Sequence, residues 1–377
     1  MHRQHRVTIK EIAAMTGVST QTVSRVINNR PDVSPETRRS IEAAIAEHGF
    51  QPSAVARSLV QRRSQMLGVI VAGLKYFGVA QTVNGMAEAT EAAGYSIILK
   101  ELGSFDLPDI VPVVEFFVAH RVEGIIFAPP QMGANIRHLQ EQLPPSTPPV
   151  IFLKAEPSER FQSIGIDNVE AARVATRHLL ALGRTRVAHL AGPLEWREAR
   201  DRRDGWLDVL AEAGLEPGPM AVGDWTSASG AAAFAQILEA DPAVDALFSA
   251  SDQMALGAMH VANARGIRIP EQLAVVGFDG IPEAAEFTPS LTTIRQPLQE
   301  IGRLAVQELV ASFVTETGPV ARTITLPTEL VLGDSAPMPM VAGPAGATGA
   351  GATGAGATGA SATRPVRRES RSVPAAT

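Results

Sequence analysis

Apolar residues in the first fifty positions recur at helical spacing. Ile9, Ile12 and Ala13 follow Thr8, and Thr8 with Glu11 makes a capping box, which predicts a short helix. Gly17 ends it. Ser19 caps a second helix whose inward face is Val23, Val26 and Ile27. Ser34, Pro35 and Glu36 open a third, with proline at its tolerated first position, Ile41, Ala44 and Ile45 inside, and Gly49 as the stop. From about Met66 the rhythm changes. Leu67–Val71, Ser96–Leu99, Gly124–Phe127, Val150–Leu153, Val187–Leu190, Ala246–Phe248 and Ala274–Phe278 are continuous apolar runs, the pattern of strands covered on both faces. Helical stretches lie between them, among them Val169–Leu182, Arg203–Ala213, Ser229–Ala240 and Gln253–Arg265. Such alternation predicts an α/β fold of doubly wound parallel sheets behind an all-α head. About 270 residues of it exceed what one sheet takes, so two similar lobes are expected.

Charge changes this picture. The net charge of −6 over 377 residues argues by itself against a nucleic-acid partner. Residues 1–63, however, hold 10 Lys/Arg and 5 Asp/Glu, a net of +5 that leaves −11 for the remainder. A basic head on an acidic body suits a head that meets phosphates. There are no cysteines, which excludes disulfides, zinc fingers and thiol catalysis. The N-terminus is polar and no apolar run approaches the ~20 residues of a membrane span, so a soluble, cytoplasmic protein is expected. Residues 336–377 read as a tail. Gly343–Thr363 is built of Gly-Ala-Thr repeats, followed by Arg364, Arg367, Arg368 and Arg371, and cannot bury a core. A disordered, flexible tail is expected, with an accessory contact of its arginines to DNA as the sharper alternative.

A helix, a turn at Gly17 and a second helix from Ser19 form a helix-turn-helix. The second helix carries Thr20, Gln21, Thr22, Ser24 and Arg25 on its polar side, groups that hydrogen-bond base edges, and an arginine can take guanine in two-point fashion. Residues 21 and 25 share a face. The bland alternative is a three-helix bundle with a solvated face, but this face lacks the acidic residues such a surface would carry. In the body, Asp279 follows the run Ala274–Phe278, and Ser251-Asp252 follows Ala246–Phe248. Ligands of parallel sheets bind beyond the carboxyl ends of strands. A carboxylate, a guanidinium and an indole there suit a sugar, whose hydroxyls meet polar groups while its apolar side lies on the ring. Taken alone, Arg202 also reads as a surface residue, Trp225 as core and Asp279 as a helix N-cap. The chain has no Gly-x-x-x-x-Gly-Lys-Ser/Thr loop, no Gly-x-Ser-x-Gly elbow and no His-Glu-x-x-His motif. No catalytic residue, metal or cofactor is expected.

Residues 6–60 resemble the headpiece of the lac repressor family of bacterial transcription regulators. The resemblance rests on Gly17-Val18-Ser19, Thr22-Val23-Ser24-Arg25-Val26 and Ala56-Arg57-Ser58-Leu59. It implies that Thr20, Gln21 and Arg25 read bases in the major groove, with Thr8, Ser19, Thr22, Ser24, Asn28, Ala56 and Arg57 completing the DNA-binding set. It further implies a hinge helix over residues 53–61 whose Leu59 wedges into the minor groove, where an apolar insertion unstacks a step and kinks the duplex. Without that context Leu59 reads as a core leucine.

From Leu67 to about Leu332 the chain is similar to the two-lobed, periplasmic-binding-protein-like sensor of the same family. The matching stretches include Ser251-Asp252-Gln253-Met254-Ala255-Leu256-Gly257, Val275-Val276-Gly277-Phe278-Asp279 and Leu291-Thr292-Thr293-Ile294-Arg295-Gln296. Arg202, Trp225 and Asp279 then match effector contacts, and Tyr76, Lys154, Ser251 and Gln296 complete the expected effector set. Ser251 stands where the family's type member has an asparagine, and Lys154 where it has an aspartate, an inversion of charge from which an acidic or phosphorylated sugar would gain.

The resemblance implies a helix-turn-helix domain over 1–50, a hinge helix and linker over 51–64 and a two-lobed effector and dimerisation domain over 65–335. Lobe 1 takes about 65–165 and 296–325, and lobe 2 about 166–295 and 326–335. The reading is a homodimeric repressor on a double-stranded DNA operator, controlled by a small molecule, a sugar or sugar derivative, acting as inducer or corepressor. No counterpart of the type member's tetramerising leucine heptads follows Leu332, so a dimer is expected rather than a tetramer. The alternative is a carbohydrate-binding protein or sugar-modifying enzyme without DNA function.

Overall fold

The computed structural model describes residues 7–50, 63–105, 109–132, 135–315 and 319–338. The head consists of α1 (Ile9–Thr16), α2 (Thr20–Ile27) and α3 (Pro35–Glu47). Local chemistry sets each boundary. Thr8 and Glu11 close the capping box reciprocally, and Gly17 turns the chain at φ 67°. The Ser19 and Ser34 hydroxyls accept from the Thr22 and Thr37 amides. Ile12, Ala13, Val23, Val26 and Ile41 meet in one small core closed by Phe50.

In the body, β1 (Met66–Ala72), α4 (Phe77–Ala92), β2 (Ser96–Leu102), α5 (Val111–Ala119), β3 (Gly124–Phe127), α6 (Asn135–Gln142), β4 (Val150–Leu153) and β5 (Gln162–Ile166) form the first run. The second holds α7 (Asn168–Ala181), β6 (Val187–Ala191), α8 (Arg197–Glu212), β7 (Met220–Val222), α9 (Ser227–Ala240), β8 (Ala246–Ser249), α10 (Asp252–Ala264), β9 (Ala274–Asp279) and β10 (Thr292–Arg295). The last elements are α11 (Leu298–Thr315), β11 (Thr323–Leu326) and β12 (Glu329–Val331).

Two six-stranded sheets result, ordered β11-β5-β4-β3-β1-β2 and β12-β10-β9-β8-β6-β7. Every pairing is parallel except β10 with β12. The chain therefore passes between the sheets three times, after β5, after β10 and after β11. Both sheets carry helices on both faces, which explains the fully buried strands β3, β4 and β6. Among the described residues, no helix is long and apolar enough to cross a membrane.

Some expectations shift. β2 runs on to Leu102 and lies at a sheet edge with Lys100 and Glu101 exposed, so it is not a strand buried on both faces. Five short strands (β5, β7, β10, β11 and β12) were not in the apolar pattern, because β7 is only three residues long and the other four include polar side chains. α8 begins at Arg197, six residues earlier than its apolar pattern. Ala336, assigned to the tail by composition, is buried, and its carbonyl accepts from His178 and Thr292. The hinge helix over 53–61 and the Gly-Ala-Thr tail lie outside the described residues.

Candidate functional site

The seven residues singled out in the body line one cleft between the two sheets, of about 610 Å³ counting its mouth. Tyr76, Phe77, Gly78 and Val79 enter from the start of α4, Pro130 from the segment after β3, and Lys154 from the end of β4. Trp196, Glu198 and Arg202 come from α8 and the residue before it, Trp225 from the segment after β7, Ser251 and Gln253 from the start of α10, and Asp279 from the end of β9. Gln296 comes from a crossover segment. Most of these positions lie at the carboxyl ends of parallel strands, where side chains of several elements can converge without disturbing the sheet.

Three of the seven have non-glycine backbones at positive φ: Lys154 at 53°, Trp225 at 74° and Asp279 at 122°. Each such residue costs on the order of 1–3 kcal/mol and persists only where its surroundings enforce it. The surroundings are visible. The Lys154 amide donates to the Ile164 carbonyl. Asp279 accepts from Gln296 Nε2 at 2.7 Å and lies 3.7 Å from Arg202 Nη1. The turn after Asp279 is held by buried Asp252, whose Oδ2 accepts from the Gly280 and Ile281 amides and whose Oδ1 accepts from the Thr293 hydroxyl. The Trp225 ring lies against Gly192, where a Cβ would stand 2.1 Å from the indole.

Arg202 is buried. Its Nε donates to Asn168 Oδ1 and its Nη1 to the Ala250 carbonyl, and the guanidinium stacks 3.7 Å from the Phe278 ring centroid. Burial pulls its pKa down, opposed by Asp279 and then Glu198. Burial pushes the Asp279 carboxyl up against the pull of Arg202, the Gln296 hydrogen bond and Lys154. It also lowers the Lys154 ammonium, with Glu198 opposing most strongly. Ser251 lines the cleft, but its hydroxyl is also the N-cap of α10, accepting from the Met254 amide at 3.3 Å.

Several lining residues were missed by sequence reasoning. Trp196 meets Tyr76 and Phe105 edge-on at 5.2 and 5.0 Å and Trp225 at 5.6 Å, so one aromatic wall runs from lobe to lobe. Glu198 was hidden in a charged run that looks like surface, yet it is 8% exposed and its Oε2 has no partner. Its spacing of four from Arg202, which puts both on one helix face, was the available signal. Buried Trp225 Nε1 is likewise without a partner. Buried polar atoms of this kind are costly unless something else satisfies them.

In the head, Thr20, Gln21 and Arg25 are exposed on α2. The Arg25 Nε pairs with Asp32 at 3.3 Å, an acidic neighbour not anticipated. Thr8 is committed to its capping box, Ser19 and Thr22 are bonded to each other, and Asn28 Nδ2 donates to the Ser24 carbonyl. Ala56, Arg57 and Leu59 lie outside the described residues.

Two family profiles match the chain: "Bacterial regulatory proteins, lacI family" over residues 8–53, and "Periplasmic binding protein-like domain" over residues 176–336. The transcriptional regulator CelR of Thermobifida fusca is 34% identical over 353 residues, 89% of this chain and all of CelR. The lactose operon repressor of Escherichia coli K12 is 32% identical over 304 residues, 81% of this chain and 84% of that protein. A lac repressor dimer bound to operator and the anti-inducer ONPF superposes with a TM-score of 0.80 at 31% identity, covering 88% of this chain and all of that one. A CelR–cellobiose complex gives 0.64 at 30% identity, with the same coverage. Helix-turn-helix head, two-sheet body and relatives matched over nearly their full length lead to one conclusion: the chain is a member of the lacI family of bacterial regulatory proteins, a DNA-binding transcription regulator.

Proposed function

We propose that this regulator represses transcription from an operator that it holds or releases according to a carbohydrate in the cleft between its lobes. The observation that carries this reading is the cleft itself. It gathers Tyr76, Lys154, Arg202, Trp225, Ser251, Asp279 and Gln296, and leaves Trp225 Nε1 and Glu198 Oε2 buried without partners. A hydroxyl both donates and accepts, and an indole face covers the apolar side of a sugar ring. The cellobiose complex of CelR and the operator complex of the lac repressor dimer support the same pairing of ligand and DNA.

In this reading Thr20, Gln21 and Arg25 touch base edges, Ser19, Thr22, Ser24, Asn28 and Thr8 position α2 on the backbone, and Ala56, Arg57 and Leu59 belong to the hinge that enters the minor groove. Two copies act together in the cytoplasm, matching protein two-fold symmetry to operator symmetry. Exposed Met220 and Val222 on edge strand β7 and Leu256 on α10 offer apolar surface to a second copy.

The test is a mobility-shift assay of the full chain on its own promoter region, with and without a sugar panel, alongside tryptophan fluorescence. Specific binding that a sugar strengthens or weakens is expected. Arg25→Ala is expected to lower affinity about 10- to 100-fold. Binding indifferent to both Arg25→Ala and every sugar that perturbs the fluorescence would sink the reading.

A further inference from the structure

Lys154 and Glu198 are the two cleft charges with neither an ion pair nor a side-chain hydrogen bond among the described residues. Lys154 follows β4 in one lobe, and its ammonium lies by the first turn of α4, where a Cβ on Gly78 would stand 3.6 Å from Nζ. Glu198 sits in the first turn of α8 in the other lobe, nine-tenths buried, with Oε2 unpartnered. Both line the main cleft and also an adjoining cavity that includes Ser163, Asp167, Asn168 and Thr325, so they stand where the two meet. No ion pair joins them, although each lies within the other's electrostatic reach. The remaining cleft charges are already answered, Arg202 by Asn168, Ala250 and Asp279, and Asp279 by Gln296.

We propose that Lys154 and Glu198 form an open ion pair across the cleft, completed by an uncharged ligand with adjacent hydroxyls. One hydroxyl oxygen accepts from Lys154 Nζ and its neighbour donates to Glu198. The proposal rests on the reading of the cleft as the effector site, and it names what that site selects.

Charge arithmetic favours a neutral diol. An acidic or phosphorylated sugar gains from Lys154 but brings its charge beside Glu198 and Asp279. An amino sugar gains from Glu198 but faces Lys154 and Arg202. A hydroxyl donates and accepts, so a diol satisfies both ends with no net charge. The free amides at the start of α4, whose N-cap Tyr76 offers no side-chain bond, reinforce an acceptor at the Lys154 end. Because the two residues belong to different lobes, a ligand joining them binds one interlobe arrangement better than others, which is the condition for shifting a population. The acidic effector expected from Lys154 alone loses its basis once Glu198 faces it.

The experiment is calorimetric titration of the full chain with cellobiose, glucose, glucose 6-phosphate, glucuronate and glucosamine, repeated on Lys154→Gln, Glu198→Gln and the swapped double variant Lys154→Glu/Glu198→Lys. Circular dichroism and operator binding check that each variant folds. Wild type is expected to prefer a neutral sugar. Each single change weakens it about 10- to 100-fold. Glu198→Gln moves preference toward the anionic probes and Lys154→Gln toward glucosamine, while the swap recovers most of the loss. Tightest wild-type binding of a charged probe, or selectivity indifferent to both substitutions, overturns this proposal alone. No binding by any probe overturns the proposal and the effector reading together.

Discussion

Protonating His189 would place a charge where nothing can answer it. The ring is stacked between Trp206 and Phe248, at centroid distances of 5.2 and 4.9 Å. Its Nδ1 donates to the Phe248 carbonyl, which leaves Nε2 bare and buried. Burial is the main cause that pulls its pKa from 6.5 to about 3, the Phe248 hydrogen bond opposing, with Arg202 and Arg203 pulling further down. The native state therefore binds fewer protons than the unfolded chain between those values. The contribution is complete above about pH 6.5 and is lost as the pH falls towards 3, at up to roughly 1.4 kcal/mol per pH unit. Asp252 and Asp279, held above the usual carboxylate range mainly by burial, act in the opposite sense, so a difference measurement is needed. Urea melts at pH 7, 6 and 5 are expected to show a shallower loss for His189→Phe than for wild type, and equal slopes would refute the buried neutral ring. Residue-level legibility was uneven for a physical reason. Arg202, Trp225 and Asp279 stood out as unusual groups beside apolar runs. Glu198 did not, because sequence shows charge but not which charges are buried.

Helix pairs in both lobes pack through glycine. A Cβ on Gly85 of α4 would stand 1.9 Å from the Gln299 carbonyl, and one on Gly302 of α11 would stand 2.0 Å from the Thr82 carbonyl. Gly257 of α10 and Gly205 of α8 meet the carbonyls of Ser227 and Val169 in the same way. Helix propensity alone says that Gly302→Ala gains about 1 kcal/mol. Overpacking says that it loses about 1–3 kcal/mol, and a contact at 2.0 Å to backbone decides for the loss. Thermal melting is expected to place Gly302→Ala below wild type, and a raised melting temperature would mean that α4 and α11 are free to separate. The effect should reach the cleft, since α4 carries Tyr76 to Val79 at its start. At this scale the buried parallel strands were legible because two-sided burial leaves few polar positions. Short strands such as Thr323–Leu326 (half-buried, alternating) were not, since their partners lie 160 residues away.

Among the described residues, exposed large apolar side chains include Met220 and Val222 on edge strand β7, Leu256 on α10, Leu99 on edge strand β2 and Val118 on α5. Met220 and Val222 point out together while Ala221 between them is buried. Light scattering of Met220→Lys/Val222→Lys is expected to give half the wild-type mass together with weaker operator binding, and an unchanged mass would move the dimer contact elsewhere. Two-lobed architecture was readable from length and alternation, but the three passages between the sheets were not, since no local pattern records which sheet a strand joins. Those passages also order events on the ribosome. The head's core uses only residues before position 51, so it can close soon after it emerges. Neither sheet is complete until β11 and β12, at residues 323–331, have been made. At roughly 5–20 residues per second, about 15–60 seconds separate the two. During that interval each nascent chain has a formed DNA-reading head and an unfinished sensor, so early contact with DNA is expected to be unregulated until the last strands arrive.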